Sequence, residues 1–242
     1  MDSKFEPVMS GGSSTPAAMP PVSIPVAVDS SRVLRNTYWL LALSLLPTIA
    51  GAFAGMQLNF IAAFKASPIM TPLLMLAVMM GSLWVVTLLR NSAWGVAALF
   101  GFTFISGLML TPILTVAGGL RNGGQLVALS GGLTAAVFFA LAAYATVSKR
   151  DFSFLGKFLF VGLILLLVAM VANLFFQVPA AALALSAIAV LIFSLYLLYD
   201  LSAIVRGGET NYVMATMRLF LDLFNIFVNL LSLLMAFSGQ RD

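Results

Sequence analysis

The sequence predicts an all-α membrane protein with seven transmembrane helices. Of its 242 residues, 62% are hydrophobic and 8% are charged, whereas soluble domains contain about 45–50% apolar and about 25% charged residues. So few charges cannot cover the surface of a soluble domain of this length. The apolar residues also form continuous runs of about 20 residues or more, the length of a bilayer-spanning helix. The runs do not alternate with polar residues, which excludes a membrane β-barrel.

Seven apolar runs each predict one span, numbered here from 1 to 7. Pro47 and Pro112 lie inside spans 1 and 3 and predict kinks there. Small residues recur in span 3 and around the start of span 4, and they predict close helix packing. They are Gly101, Ser106, Gly107, Ser130, Gly131 and Gly132. The predicted spans are 37–60, 69–89, 94–118, 126–147, 154–176, 180–204 and 213–237.

The first 31 residues differ in composition from the rest of the chain. Residues 1–31 are rich in Pro, Gly, Ser and Ala and predict a disordered cytoplasmic N-terminal tail, followed by a seven-helix transmembrane domain at 32–242. The segment does not resemble a signal peptide, because Arg32 and Arg35 precede a run long enough to span the bilayer.

Loop charges predict the orientation of the chain, since Lys and Arg accumulate on the cytoplasmic side. With the N-terminus inside, three basic residues lie outside, namely Lys65, Arg121 and Arg241. Eight lie on or near the inner side, namely Lys4, Arg32, Arg35, Arg90, Lys149, Arg150, Lys157 and Arg206. We therefore expect a cytoplasmic N-terminus and, after seven spans, a periplasmic C-terminus.

Composition excludes several classes of function. The chain has no Cys and no His, which removes thiol nucleophiles, zinc fingers and histidine-based triads. The net charge of +4 is spread along the chain, so a nucleic-acid surface is not indicated. No nucleophile–base set is apparent, and we expect neither enzymatic activity nor a bound cofactor.

Three charged residues lie inside the predicted spans beyond their first and last turns: Asp200, Arg218 and Asp222. A charge at the bilayer centre costs about 2.5–3.5 kcal/mol on insertion scales, so such residues face protein or water and indicate function. Span 7 carries a polar stripe whose spacing of 4, 3, 4 and 3 puts its members on one helix face. This pattern predicts that span 7 is central, with interhelical hydrogen bonding as the alternative role of the stripe. The stripe comprises Arg218, Asp222, Asn225, Asn229 and Ser232.

Asp200 and Asp222 are predicted to meet in the cytoplasmic half of the membrane. Span 6 descends to the loop that span 7 leaves, and at about 1.5 Å per residue the two depths differ by only several ångströms. Two carboxylates in one low-dielectric site titrate as a unit. Arg90, at the end of span 2, is a candidate counter-charge or a simple topology charge. Arg218, one turn from Asp222, could neutralise it within the helix, and the sequence leaves two alternatives open: Asp222 as part of a buried salt bridge or as part of a proton-sensing switch.

Two aspartates in a membrane also raise the possibility of an aspartyl intramembrane protease. Tyr199-Asp200 matches one half of that pattern. The second half requires glycine before the aspartate, where this chain has Phe220-Leu221-Asp222, so the protease interpretation is disfavoured.

Several separated motifs resemble the Bax inhibitor-1 family. The main ones are 207–212 (GGETNY), running into 219–227 (LFLDLFNIF), and the preceding 194–201 (SLYLLYDL). Residues 101–107 (GFTFISG) and 149–156 (KRDFSFLG) also match. Residues 33–38 (VLRNTY) and 171–173 (VAN) resemble the bacterial YccA branch in particular. The resemblance covers about 31–237.

The resemblance implies six helices around a central seventh, and it implies two functions. The YccA branch implies a multi-pass protein of the bacterial inner membrane that associates with and modulates the FtsH protease and is degraded from its N-terminal tail. Family members with the aspartate pair are pH-sensitive calcium leak channels, which implies proton sensing by Asp200 and Asp222, calcium as the permeant ion in contact with them, and Arg90 as a latch. Two carboxylates alone do not supply the 6–8 oxygens of a calcium site. In the family pattern a small residue stands where this sequence has Arg218. The FtsH modulator is the leading hypothesis, and the calcium leak channel is the alternative.

Overall fold

A computed structural model describes residues 30–148 and 150–238, and all regular structure within these ranges is helical. Seven segments are long and apolar enough to cross a membrane, with α4 and α5 together forming the third. The predicted all-α, seven-span class is therefore confirmed. The helices are α1 (Ser30–Gln57), α2 (Ile61–Ala66), α3 (Met70–Leu89), α4 (Gly95–Met109), α5 (Thr111–Gly118), α6 (Gly123–Ser148), α7 (Leu155–Phe176), α8 (Pro179–Val205) and α9 (Tyr212–Ser238).

The first helix begins earlier than predicted, at Ser30 instead of 37. Its opening turns are amphipathic, since Val33 is buried while Arg32 and Arg35 are exposed, and hydropathy detects only the apolar part of such a helix. The last two residues of the predicted tail thus belong to α1. The rest of that tail, 1–29, lies outside the described residues, so its disorder stays a prediction.

The two intramembrane prolines have different outcomes. Helix α1 continues through Pro47. The third span is interrupted at Leu110, and Pro112 lies in the first turn of α5, where its missing N–H leaves no helical bond unmade. The kink predicted at Pro112 is therefore a break between two helices.

Helix α9 is central, as its polar stripe predicts. Every residue from Val213 to Ala236 is at least partly covered. The principal contacts of α9 are with α1, α4, α6 and α8, whereas α3 packs mainly on α4 and α7 mainly on α8. The bundle therefore has four spans directly around α9 and two spans farther out.

The backbones of α1 and α4 come into direct contact where they cross. A Cβ atom added to Gly51 would lie 2.1 Å from the Phe104 carbonyl oxygen, and one added to Gly107 would lie 2.0 Å from the Thr48 carbonyl oxygen. This confirms close packing at Gly107. Ser106 and Ser130 are buried, as close packing requires. The prediction does not extend to Gly101, Gly131 and Gly132, beside which there is open space, because these three positions do not face a neighbouring helix at close range.

Candidate functional site: a buried carboxylate pair

Asp200 of α8 and Asp222 of α9 lie side by side in the bundle, as the spacing predicts; we call them the carboxylate pair. They are 7% and 4% exposed, and each carboxyl group is close enough to interact with the charge of the other. Asp222 Oδ2 is buried and accepts no hydrogen bond from any described residue. A buried polar atom without a partner is costly, so the pair is a strained feature of an otherwise apolar helix contact.

Arg218 forms its ion pairs with residues other than Asp222. Its Nη1 lies 3.9 Å from Asp200 Oδ1 and 3.5 Å from Glu209 Oε2, and no ion pair with Asp222 occurs within 30–148 and 150–238. The Cα–Cβ bonds of a helix tilt toward its N-terminus. The Arg218 side chain therefore extends back toward the start of α9, whereas Asp222 lies one turn in the opposite direction. The alternative of a direct ion pair between Arg218 and Asp222 is therefore not found among the described residues, although the two charges are close enough to interact.

Glu209 belongs to this site and was missed at the sequence level. It lies in the short α8–α9 loop, where Gly207 adopts a φ of +77° and the Gly208 N–H donates to the Ala203 carbonyl at 2.8 Å. Such a left-handed glycine is a common helix C-terminus, and it turns the chain so that Glu209 faces α9. Glu209 Oε1 accepts the Asn211 backbone N–H at 3.0 Å, which leaves Oε2 for Arg218. The signal in the sequence was the GGETNY motif itself.

Asn211 caps α9 and joins it to the α3–α4 loop. Its Oδ1 accepts the backbone N–H groups of Val213 and Met214, both at 3.0 Å, which is the usual bonding of an N-cap. Its Nδ2 donates to the Arg90 carbonyl at 3.0 Å and to Asn91 Oδ1 at 2.8 Å. The loop that supplies Glu209 is therefore bonded both to α9 and to the α3–α4 loop.

The Arg90 side chain is not brought to the carboxylate pair. It is exposed and forms no ion pair among the described residues, while its backbone carbonyl is held by Asn211. Its role as a latch, which the family resemblance implies, stays a prediction.

The remainder of the polar stripe continues along α9 from the pair. Asn225 Nδ2 donates to the Leu221 carbonyl and Asn229 Nδ2 to the Asn225 carbonyl, each at 2.8 Å. Both amides thus bond within α9, so the alternative of interhelical hydrogen bonds by these two donors is not what the structure contains. Asn229 is buried and Ser232 half-buried, which places the stripe on the inner side of the bundle.

The chemistry available to the site is that of charge and protons. Tyr196 of α8, half-buried, lies close enough to both carboxylates to interact with their charge. No cluster of three or more His, Cys, Asp or Glu side chains suited to a metal ion occurs in the part of the chain that the structure describes. The pair is therefore suited to sharing a proton and to attracting a cation, but it is not a preformed metal cage.

A second ionic contact lies in the α6–α7 loop, outside the spans. Asp151 pairs with Arg206 and accepts the Ser153 backbone N–H at 2.8 Å. Hydrogen bonds from Ser153 and then from Arg206 lower the pKa of Asp151 to about 2. The Ser202 hydroxyl donates to the Arg150 carbonyl at 2.8 Å, so this loop is tied to the end of α8.

Comparison with known proteins gives consistent matches over nearly the whole described chain. A family model described as "Inhibitor of apoptosis-promoting Bax1" matches residues 30–239. A protein of Escherichia coli K12 named "Modulator of FtsH protease YccA" is 40% identical over 213 residues, covering 86% of this chain and 91% of that protein. The counterpart in E. coli O6:H1, named "Inner membrane protein YccA", matches to the same extent. An "Uncharacterized membrane protein" of Vibrio cholerae is 39% identical, covering 88% of this chain and 92% of that protein.

Proposed function

Since this chain belongs to the Bax inhibitor-1 family, we propose that it is a multi-pass regulator of the inner membrane that associates with and modulates an FtsH-type membrane protease. The observation that carries the proposal is the 40% identity, over 91% of its length, to the E. coli protein named as a modulator of FtsH. The proposal assigns no catalytic activity to the chain.

The outer spans are suited to contact with another membrane protein. Helix α7 packs mainly on α8 and leaves Phe158 and Leu165 exposed, at 72% and 64%. Helix α3 is similarly uncovered, with Trp84 65% exposed. Apolar surface of this kind faces either lipid or a membrane partner, so these two helices are where we expect the protease complex to bind.

Reconstitution tests the modulator directly. FtsH and one of its membrane substrates would be placed in liposomes with and without this protein, and the rate of substrate loss measured. We expect the rate to change and the two proteins to co-purify. An unchanged rate at saturating amounts, without co-purification, would contradict the proposal. As the control, an unrelated seven-span membrane protein would be added in parallel, because a soluble protein is a poor control for a membrane protein.

We further propose that the protein is itself degraded by FtsH, beginning at its N-terminal segment. A variant lacking residues 2–28 keeps all of α1 and should survive several-fold longer in cells that contain FtsH, with no difference in cells depleted of it. A variant with the same 27 residues in scrambled order separates sequence from length, since a length requirement leaves its half-life unchanged. Equal lifetimes of the full-length and shortened chains would exclude this route.

The second candidate function is a pH-sensitive calcium or cation leak through the carboxylate pair. It is favoured by one observation: two carboxyl groups meet inside the membrane region beside a half-exposed arginine. Calcium flux into liposomes would be compared at mildly acidic and mildly alkaline pH for the wild type, Asp200→Asn and Asp222→Asn. We expect pH-dependent flux that both substitutions abolish. Asp151→Asn, the same change at an exposed loop carboxylate, is the matched control, and flux equal to that of empty liposomes would exclude the candidate.

A further inference from the structure

We propose that Arg218 is the resident cation of the carboxylate pair: its guanidinium pairs with both Asp200 and Glu209, and it excludes a divalent cation from the site. The inference makes Arg218 the residue that decides whether the pair is open to exogenous cations.

The position of the guanidinium supports this assignment. Nη1 lies between two carboxylates, 3.9 Å from Asp200 Oδ1 and 3.5 Å from Glu209 Oε2. The side chains of Asp200 and Glu209 are only 9% and 16% exposed, while that of Arg218 is 42% exposed. The arginine is therefore the most accessible of the three charged side chains, and the two carboxylates beside it are largely covered.

Glu209 holds the arginine in place. Its two carboxylate oxygens have separate partners, since Oε1 accepts the Asn211 N–H and Oε2 pairs with Arg218. Asn211 is in turn bonded to both α9 and the α3–α4 loop. The carboxylate that positions Arg218 is thus anchored, through Asn211, to α9 and to the α3–α4 loop, which restricts the motion of the Arg218 side chain.

No other described positive charge near the carboxylate pair could take the place of Arg218. Facing the pair are Asp200 and Tyr196 from α8, Asp222 and Arg218 from α9, and Glu209 from the loop. Arg90 forms no ion pair in the described ranges 30–148 and 150–238 and has an exposed side chain. With Arg218 removed, up to three negative charges remain without a described counter-charge, and a divalent cation is attracted to such a group.

The inference concerns the same site as the second proposed function but competes with it, because a pair closed by Arg218 predicts no calcium flux through the wild type. Cation binding by Arg218→Gln alone, with no flux through either protein, would remove the leak channel and leave the resident cation intact. Flux without any effect of Arg218 on binding would do the reverse.

Terbium(III), an oxygen-seeking ion of similar size to Ca²⁺, is the probe. Its luminescence, excited through tyrosine, would be measured on the purified protein in a neutral detergent, with Ca²⁺ added as competitor. We expect no calcium-reversible signal from the wild type and binding at least about tenfold tighter in Arg218→Gln, because a neighbouring positive charge has been removed. Arg218→Lys keeps the charge and should stay closed, and Asp200→Asn/Arg218→Gln should lose the new signal.

Two results would overturn the proposal: a wild type that binds terbium as tightly as Arg218→Gln, or an Arg218→Gln protein that is folded and binds none. If Arg218→Gln does not elute as a monodisperse species, the elution of the double variant Asp200→Asn/Arg218→Gln tests the proposal instead. Recovery of folding in Asp200→Asn/Arg218→Gln supports Arg218 as the counter-ion of Asp200, and an equally defective double variant contradicts it.

Discussion

Asn211 joins more parts of the molecule than any other residue of the α8–α9 loop. Its carboxamide oxygen caps α9, its carboxamide N–H groups hold the α3–α4 loop, and its backbone N–H bonds Glu209. Glu209 is oriented by the Asn211 backbone N–H, and the Asn211 side chain fixes the position of that backbone. A substitution at Asn211 should therefore affect both stability and the carboxylate pair.

Asn211→Ala is expected to destabilise the protein by about 1–2 kcal/mol, since the N-cap of α9 is lost. The measurement is the midpoint of thermal unfolding in detergent. Thr210→Ala is the matched control, because Thr210 is the exposed neighbour in the same loop and should leave the midpoint nearly unchanged. Equal shifts in the two variants would mean that the cap contributes little.

Asp151 is expected to contribute nothing to pH dependence between pH 5 and 8. Its pKa in the folded protein, about 2, is below the ordinary value of about 3.9. Its stabilising contribution is therefore fully present above about pH 3.9 and is lost as the pH falls through about 2. Melting temperatures of the wild type and Asp151→Asn should run parallel from pH 5 to 8, and curves that diverge within this window would contradict the assignment.

Residue positions were more predictable than residue partners. The meeting of Asp200 and Asp222 follows from counting residues on either side of one loop. The partners of Arg218 depend on the direction of a long side chain and on the path of the loop at Gly207, and neither is contained in helical spacing. Glu209 was overlooked for the same reason: only a left-handed turn brings a loop carboxylate back over α9.

Among the helices, α1 and α4 are fitted together most closely. Gly51 and Gly107 each stand where a side chain would collide with backbone of the opposite helix. Small residues that permit backbone approach are a general means of helix association in membranes. The crossing is therefore specified by two glycines from two separate helices.

Gly107→Ala is expected to destabilise the protein by about 1–3 kcal/mol, because the added methyl group forces the helices apart. Gly101→Ala is the control: it is in the same helix, faces open space, and should be neutral or stabilising by up to about 1 kcal/mol. Thermal unfolding of both variants in detergent checks the pair. A Gly107 variant as stable as the Gly101 variant would show that the crossing is not fixed.

Helix ends were predictable where apolar and polar sequence meet abruptly, as at Leu89 and Phe176. They were not predictable at the start of α1, where charged residues continue the helix outside the apolar run. The short α2 was missed for a related reason. Six residues do not provide enough of a repeat to distinguish a helix from a loop.

At the scale of the whole molecule, α9 is enclosed by α1, α4, α6 and α8, while α3 and α7 are peripheral. The enclosure of α9 was predictable, because a polar stripe on a membrane helix must avoid lipid. The peripheral position of α3 and α7 was not, since any uniformly apolar helix is equally suited to an inner or an outer place.

The orientation of the bundle is open to a direct test. The distribution of Lys and Arg predicts a cytoplasmic N-terminus and a periplasmic C-terminus. Alkaline phosphatase fused after Ser238 should be active and green fluorescent protein at the same position dark, with the reverse for fusions in the α6–α7 loop. Fluorescence of the C-terminal green fluorescent protein fusion would show that the topology is the reverse of the predicted one, with the α8–α9 loop on the periplasmic side.

Because of the Gly51–Gly107 crossing, the protein should resist a pulling force differently at its two ends. A machine pulling on the N-terminal end loads α1 first, and α1 must shear past α4 where the two backbones touch. Traction from the C-terminal end loads α9 instead, which is enclosed by α1, α4, α6 and α8. In single-molecule force spectroscopy we expect the first rupture to require more force from the N-terminal end, and Gly107→Ala to lower that first peak selectively.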